Sequence, residues 1–354
     1  MNINARLNSL LEVLKSLKGQ VSILITQVDP DALASAMALR HLCRQVNQEL
    51  VGSKLKIFYC GSVSHPQNRA VVYKFELGSK MLPISAATQS DLENILLVDS
   101  SSMNDGRIPD GMKVPVPKVV VDHHRGGNVP EGEGRFVWVE DIGACSTMFI
   151  ELLQAHSFDF SHDSAHALST MLAIGVHTDT GGLINCGKRD RTAFTLASEN
   201  IPSGELARLF SYPLPQSHFA QFQSALIGRK IKSARLVTGV GIMSPDEGDI
   251  LSTISDLLIR TEGVTLVVVW GVFRDSVGKA KVRISARNTD NTRELGAFLR
   301  ERFGSGCGAK LSESGQGIGG GMLSLDLGDW LNPSTEKQAL ALVEARIESA
   351  VLED

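Results

Sequence analysis

The chain has 354 residues, 43% of them hydrophobic and 21% charged, with a formal net charge of −4 at pH 7; that length predicts two domains and the balance excludes a disordered or fibrous chain. With 35 Lys and Arg against 39 Asp and Glu, no overall basic field exists to hold long nucleic acid by counterion release. The 33 glycines beside only 5% aromatics suit an α/β protein with many tight strand-to-helix turns.

Residues 1–18 place Ile3, Leu7, Leu10, Leu11, Leu14 and Leu17 at helical spacing, which reads as an amphipathic helix rather than a signal core. From 22 to about 180, short Val/Ile/Leu runs alternate with amphipathic stretches. Strands are expected over 22–26, 56–60, 94–98, 118–121 and 172–176, with helices over 33–47, 146–153 and 161–171, a doubly wound and mainly parallel sheet. A proline-opened polar stretch, 213–232, reads as a helical linker between a first domain over 1–212 and a smaller α/β domain over 233–354, with an active-site cleft between them.

The second domain reads as strand 236–243, helix 250–260, strands 264–273 and 281–286 joined by a 275–278 hairpin turn, and helix 293–303. A glycine-dense segment 304–321, a strand 322–327 and a closing helix announced by Asn332-Pro333-Ser334 complete it. The longest apolar run, 264–273, is about half of a membrane-spanning helix, so no membrane association is expected. Five scattered cysteines without a C-x-x-C pair argue against a disulfide frame or a thiolate zinc site, and point to a reducing cytosol.

The apolar runs of the first domain end in ligand-type residues: Asp29-Pro30-Asp31, Asp99, Asp122-His123-His124 and Asp179. In a parallel sheet the carboxyl ends of strands face one crevice, so these groups would converge. Carboxylates gathered there need cations to neutralise them. Aspartates with histidine suit Mn²⁺, with Mg²⁺ or Co²⁺ as substitutes. Two such ions about 4 Å apart, sharing Asp99 and a hydroxide, would form a phosphoester hydrolysis centre. Each aspartate alone could instead cap the next helix. His177 reads as structural, and His162 and His166 as a solvated face.

The motifs D-x-D-A-x-A-S at 29–35, LLVDSS around Asp99, Asp122-His123-His124 and G-x-x-T-D-T at 175–180 resemble, in order, the DHH phosphoesterase family. Ile284-Ser285-Ala286-Arg287-Asn288, followed by a helix and glycines, resembles the substrate domain appended to DHH cores in nanoRNases, 3′-phosphoadenosine 5′-phosphate phosphatases and cyclic di-AMP phosphodiesterases. The resemblance implies two Mn²⁺ ions held by Asp29, Asp31, Asp99, His123 and Asp179, with His124 and Asp122 as catalytic groups. It implies that Arg287 and Ser285, with Gly306, Gly319, Gly320 and Gly321, contact substrate phosphate.

The pattern departs twice. Gln27 is the nearest polar residue where many members place a ligating histidine, and no histidine follows the glycine clusters, where Lys310 could supply charge instead. The expected activity is cleavage of mono-, di- or oligonucleotides or cyclic dinucleotides by a two-metal-activated hydroxide. The partners expected are such small substrates and, for assembly, a homodimer. The alternatives are a pyrophosphatase or polyphosphatase, or a nucleotide-binding regulatory protein with weak turnover.

Overall fold

The computed structural model describes residues 2–50, 52–102, 105, 107–109, 111–124, 127–274, 278–290, 294–311, 317–324, 331–332 and 334–353. The chain divides into two compact units, Met1–Pro213 and Leu214–Asp354.

The first unit runs α1 (Ile3–Ser16), β1 (Val21–Ile25), α2 (Pro30–Val46), β2 (Leu55–Tyr59), α3 (Pro66–Lys74), β3 (Leu82–Pro83), β4 (Asn94–Val98), β5 (Val119–Asp122) and β6 (Phe136–Val139). Four helices follow: α4 (Cys145–Ala155), α5 (His166–Asp179), α6 (Lys188–Ser198) and α7 (Ser203–Phe210). The six strands form one parallel sheet in the order β3-β2-β1-β4-β5-β6. The order reverses between β1 and β4, and the crevice beyond their carboxyl ends is where an open α/β sheet takes ligands.

Alternation along β1 explains the layering. Val21, Ile23 and Ile25 enter the large core shared with α1, α2, α4 and α5, while Leu24 joins a smaller cluster with Phe58, Leu97 and Val120 on the other face. Strands buried on both faces read as continuous apolar runs, as SILI and ILLV do here.

One expected strand is a helix. Residues 172–176 lie inside α5, so Asp179 ends a helix and not a strand. Ser169 to Val176 are all buried, and a helix wrapped on every side by protein loses the 3.6-residue polar stripe that separates it from a buried strand. Gly175 shows how closely α5 is enclosed: a Cβ there would stand 2.2 Å from Ser146 Oγ and 3.0 Å from Asp31 Oδ1.

The second unit contains α8 (Gln216–Ile227), β7 (Lys230–Lys232), β8 (Arg235–Ile242), α9 (Ile250–Leu258), β9 (Leu266–Arg274), β10 (Ala280–Asn288), α10 (Leu295–Phe303), β11 (Cys307–Leu311), β12 (Gly317–Ser324) and α11 (Glu336–Leu352). Its mixed sheet has the order β11-β12-β10-β9-β8-β7, with β8 and β9 parallel and the other pairs antiparallel. Val268, Trp270 and Val272 of β9 pack toward α10 and α11, and Val267 and Val269 toward α8 and α9. The stretch read as a linker folds as α8 and β7, and Ala225 of α8 is fully buried in this unit's core.

The glycine-dense segment is also different from expectation. Gly319, Gly320 and Gly321 are not a loop around an anion; they sit in β12, paired with β10 on one side and β11 on the other. The glycines are required by crowding: a Cβ on Gly320 would lie 2.4 Å from the Ile284 carbonyl oxygen, and one on Gly319 2.7 Å from Leu299. Their amides lie in a strand paired on both sides; of the four glycines expected at the substrate, Gly306 precedes the ladder. The expected strand 322–327 is described to Ser324; residues 325–327, the turn positions 275–277, Arg293 and Pro333 lie outside the described residues.

Candidate metal centre

The segment after β1 supplies two carboxylates with different tasks. Asp29 is the N-cap of α2, its Oδ1 accepting the Ala32 amide at 2.9 Å. Asp31, in the first turn of α2, is fully buried and accepts two amides across space, from Cys145 and from Ser146 at 2.7 Å each. Its charge thus sits on the positive end of α4.

Asp99 follows β4 in the left-handed region, at φ 54°. An L-residue accepts that at a cost of roughly 1–2 kcal/mol, and Asp tolerates it better than most. Its amide is tied to the Val121 carbonyl at 2.9 Å. Asp122 closes β5 and is buried; it accepts from Ser101 Oγ at 2.5 Å, and its Oδ1 accepts from the His124 amide at 3.1 Å and lies 2.8 Å from His124 Nδ1.

His123 Nδ1 lies 3.0 Å from the Ile142 carbonyl. A carbonyl can only accept, so Nδ1 carries a proton and Nε2 is the atom turned toward the carboxylates, free to take a second proton or to face a cation. That Nε2 stands 3.2 Å from Asp99 Oδ1, 3.2 Å from Asp179 Oδ2 and 3.9 Å from Asp31 Oδ2. Two sets of ligand-type atoms therefore converge: Asp31, Asp99, His123 and Asp179 in one, and Asp99, His123 and His124 in the other. Asp99 and His123 belong to both.

A divalent cation fits this donor set. Among the described residues, Asp99 Oδ1 and His123 Nε2 lie 3.2 Å apart and buried, with no well-aligned hydrogen bond to either, an arrangement that costs free energy unless a proton or a cation binds them. Burial, and then the charge of Asp179, push the Asp31 carboxyl up to about 6. Burial and the Asp29 charge hold Asp99 well above the usual carboxylate range, which places Asp29 beside the cluster electrostatically. Burial works against a charge on His123, but Asp179 and Asp99 outweigh it and push the imidazole up to about 12. Burial also works against the Asp122 carboxylate, yet its bonds with His124 and Ser101 hold it below the usual range. The cluster draws in positive charge, whether protons or metal.

Gln27 lies exposed beyond β1. In the second unit, Arg287 is buried on β10, with Asp256 gripping its guanidinium at 2.5 Å (Nε–Oδ1) and 3.1 Å (Nη2–Oδ2). Nη1 donates to the Ala286 carbonyl at 3.0 Å and to Ser285 Oγ at 3.3 Å. Four of the five donors of a guanidinium are thereby used. The Lys310 side chain lies outside the described residues. The motifs contain Ser101 and Gly175 without giving either a role, and sequence reasoning does not single out the Cys145 and Ser146 amides, the Ile142 carbonyl or Asp256. Of these, the glycine in the 175–180 motif was the readable signal; backbone donors and acceptors leave no mark in side-chain identity.

Comparison with known proteins bears on this unit first. Among curated proteins, an uncharacterised protein of Methanocaldococcus jannaschii is 26% identical over 284 residues, 78% of this chain and 54% of that protein. The A-adding tRNA nucleotidyltransferase of Aquifex aeolicus is 32% identical over 107 residues, 30% of this chain and 12% of that protein. The chain thus spans about half or less of the curated relatives it matches. The crystal structure of an exopolyphosphatase-related protein from Bacteroides fragilis matches 97% of this chain and 96% of its own at TM-score 0.67 and 15% identity, a likeness of fold. Residues 20–176 match the family described as DHH family, N-terminal domain; the Asp122-His123-His124 signature at the crevice lies within the matched residues, so the first unit is similar to the N-terminal domain of that family.

Proposed function

We propose that the chain is a divalent-metal-dependent phosphohydrolase of short nucleotide substrates: oligoribonucleotides, 3′-phosphoadenosine 5′-phosphate or cyclic dinucleotides. The observation that carries this reading is the pair of overlapping donor groups sharing Asp99 and His123, with the facing atoms of both residues buried and without an aligned hydrogen bond among the described residues. Asp29, Asp31, Asp99, His123 and Asp179 would hold two Mn²⁺ ions. When bound, the ions supply Lewis-acid polarisation of the phosphoryl group and an ionised water at neutral pH.

The chain's own residues do the rest. Asp31, anchored by two α4 amides, fixes the start of α2 against α4 so that the donors are preorganised. The Ile142 carbonyl fixes the His123 tautomer. Asp122 would accept the Nδ1 proton of His124 and aim that ring; with the ring as imidazolium, the Nε2 proton would hold a nonbridging phosphate oxygen or pass to the leaving oxygen, leaving a neutral imidazole with its proton on Nδ1. Arg287 would add its remaining donor to a substrate phosphate, the Asp256 grip setting its plane.

The test is an assay of the purified full chain with Mn²⁺, Mg²⁺ or Co²⁺ on linear dinucleotides, cyclic di-AMP and 3′-phosphoadenosine 5′-phosphate, with pyrophosphate and polyphosphate run alongside. Metal-dependent product release from one of the nucleotides, lost in Asp99→Asn, is expected. Turnover of pyrophosphate or polyphosphate alone would replace the substrate class, and nucleotide binding without turnover of any of them, in metal-loaded protein, would remove the hydrolase reading.

A further inference from the structure

A second cavity, about 370 Å³, lies in the first unit between the C-terminal half of α2, the end of α3 with the turn that follows it, and the start of α5. Its volume falls within the roughly 300–1,000 Å³ of small-molecule pockets. Phe75, Leu77, Leu168 and Met171 give it an apolar floor, and Arg40, Arg44, Lys74 and Lys80 stand around it against a single carboxylate, Glu76. This is a local surplus of positive charge on a chain whose net charge is −4.

Part of that charge is already answered. Lys74 meets Glu205 at 3.0 Å, and Lys80 donates to the Phe75 carbonyl at 2.7 Å. Arg40 and Arg44 are not answered: one helical turn apart on α2, they make no ion pair among the described residues, and Arg40 Nε is buried without a hydrogen-bond partner. Burial, and then the neighbouring Arg44 charge, push Arg40 below its ordinary value. Glu76, at φ 53°, holds the left-handed turn that sets Phe75 and Leu77 into the floor. By contrast the larger cavity, about 580 Å³ beside Arg6 and Arg189, is neutralised from within by Glu140 and Glu151.

The site is separate from the metal centre. Along α2, Arg40 and Arg44 lie about 14 and 20 Å beyond Asp31 at the helical rise of 1.5 Å per residue, and α5 covers a similar span from Leu168 to Asp179. The two helices that carry Asp31 and Asp179 at one end therefore carry the cavity at the other.

We propose that this cavity binds a small organic phosphate with a flat apolar body, of the chemical class of a mononucleotide. Two adjacent guanidinium forks suit phosphate oxygens, and the Phe75, Leu77 and Met171 floor takes a ring. The proposal stands apart from the hydrolytic reading, because it concerns residues that do not touch the metal ligands.

Calorimetric titration of the full chain in EDTA, with AMP as the probe and adenosine and inorganic phosphate as comparisons, tests it. AMP binding, stronger than that of either fragment, is expected to weaken at least tenfold in R40A/R44A. It should weaken likewise in Ala167→Trp, which fills the cavity from an exposed rim position. No AMP binding to the unaltered chain, or binding unchanged in either variant with its thermal midpoint intact, overturns the proposal, as does loss of binding in Arg287→Ala alone. Metal is withheld and turnover is not read, so a chain that binds AMP here and hydrolyses nothing keeps this site and loses the proposed activity.

Discussion

Asp31 Oδ2 accepts the backbone amide of Cys145 at 2.7 Å, so one carboxylate both anchors the start of α4 and faces the metal ligands. Asp99 has the opposite character, with a buried Oδ1 that no aligned hydrogen bond among the described residues satisfies. The same isosteric change separates the two. In metal-free protein, Asp99→Asn removes a repelled charge and raises the thermal midpoint. Asp31→Asn relieves charge too but offers an NH₂ to an amide donor, which offsets the gain by about 1–3 kcal/mol. Melts in EDTA are expected to order the midpoints with Asp99→Asn above Asp31→Asn, and both variants should lose the rise that Mn²⁺ gives the unaltered chain. Equal midpoints would mean that the α4 amides do not depend on Asp31.

The pH dependence of the metal-free protein follows from the same cluster. Asp31, pushed up to about 6 from an ordinary 3.8, binds more protons folded than unfolded between those values. Its contribution to stability therefore falls as pH rises through that window. His123, pushed up to about 12 from 6.5, contributes stability that is complete below 6.5 and lost as pH rises through 12, so the sign is the same. Metal replaces the protons and reverses the trend. Scanning the midpoint from pH 5 to 8 should show a decline in EDTA and a growing Mn²⁺-induced increment, with the decline shallower in Asp99→Asn. A metal increment independent of pH would detach these residues from the metal.

Arg287 tests whether the second unit meets phosphate. Its guanidinium plane is fixed by two contacts to Asp256 and two to β10, a geometry that a lysine ammonium cannot reproduce. Arg287→Lys is expected to lower kcat/KM on a nucleotide substrate about tenfold or more, carried mainly by KM. Steady-state kinetics in which kcat falls and KM stays constant would take Arg287 out of substrate binding.

How much of this was legible depends on whether side-chain identity or backbone geometry decides each feature. Asp99 and His123 could be read because parallel strands send their carboxyl ends to one crevice, and the apolar runs before them mark those ends. Asp179 reaches the same place from a helix: Leu172, Ala173, Ile174 and Val176 are buried on every side, which erases the period by which a helix is recognised. The tautomer of His123 and the anchoring of Asp31 depend on a carbonyl and two amides, which every residue possesses. Gly319 to Gly321 misled for a related reason. Glycine density marks close backbone approach, and here the approaching group is a neighbouring strand and not an anion.

That last distinction can be measured within the second unit. Gly320 pairs between Ser285 of β10 and Gly308 of β11, and a Cβ on it would stand 2.4 Å from the Ile284 carbonyl oxygen, a rigid backbone atom. Gly308, its partner across the ladder, has nothing within 4 Å of an added Cβ. If the glycines serve strand packing, Gly320→Ala costs about 1–3 kcal/mol or more, as overpacking does, while Gly308→Ala stays within about 0.5 kcal/mol of the unaltered chain. Denaturant or thermal unfolding of the two variants reads the difference directly. Gly320→Ala that unfolds like the unaltered chain, yet loses nucleotide or phosphate binding, would return these glycines to an anion-binding role.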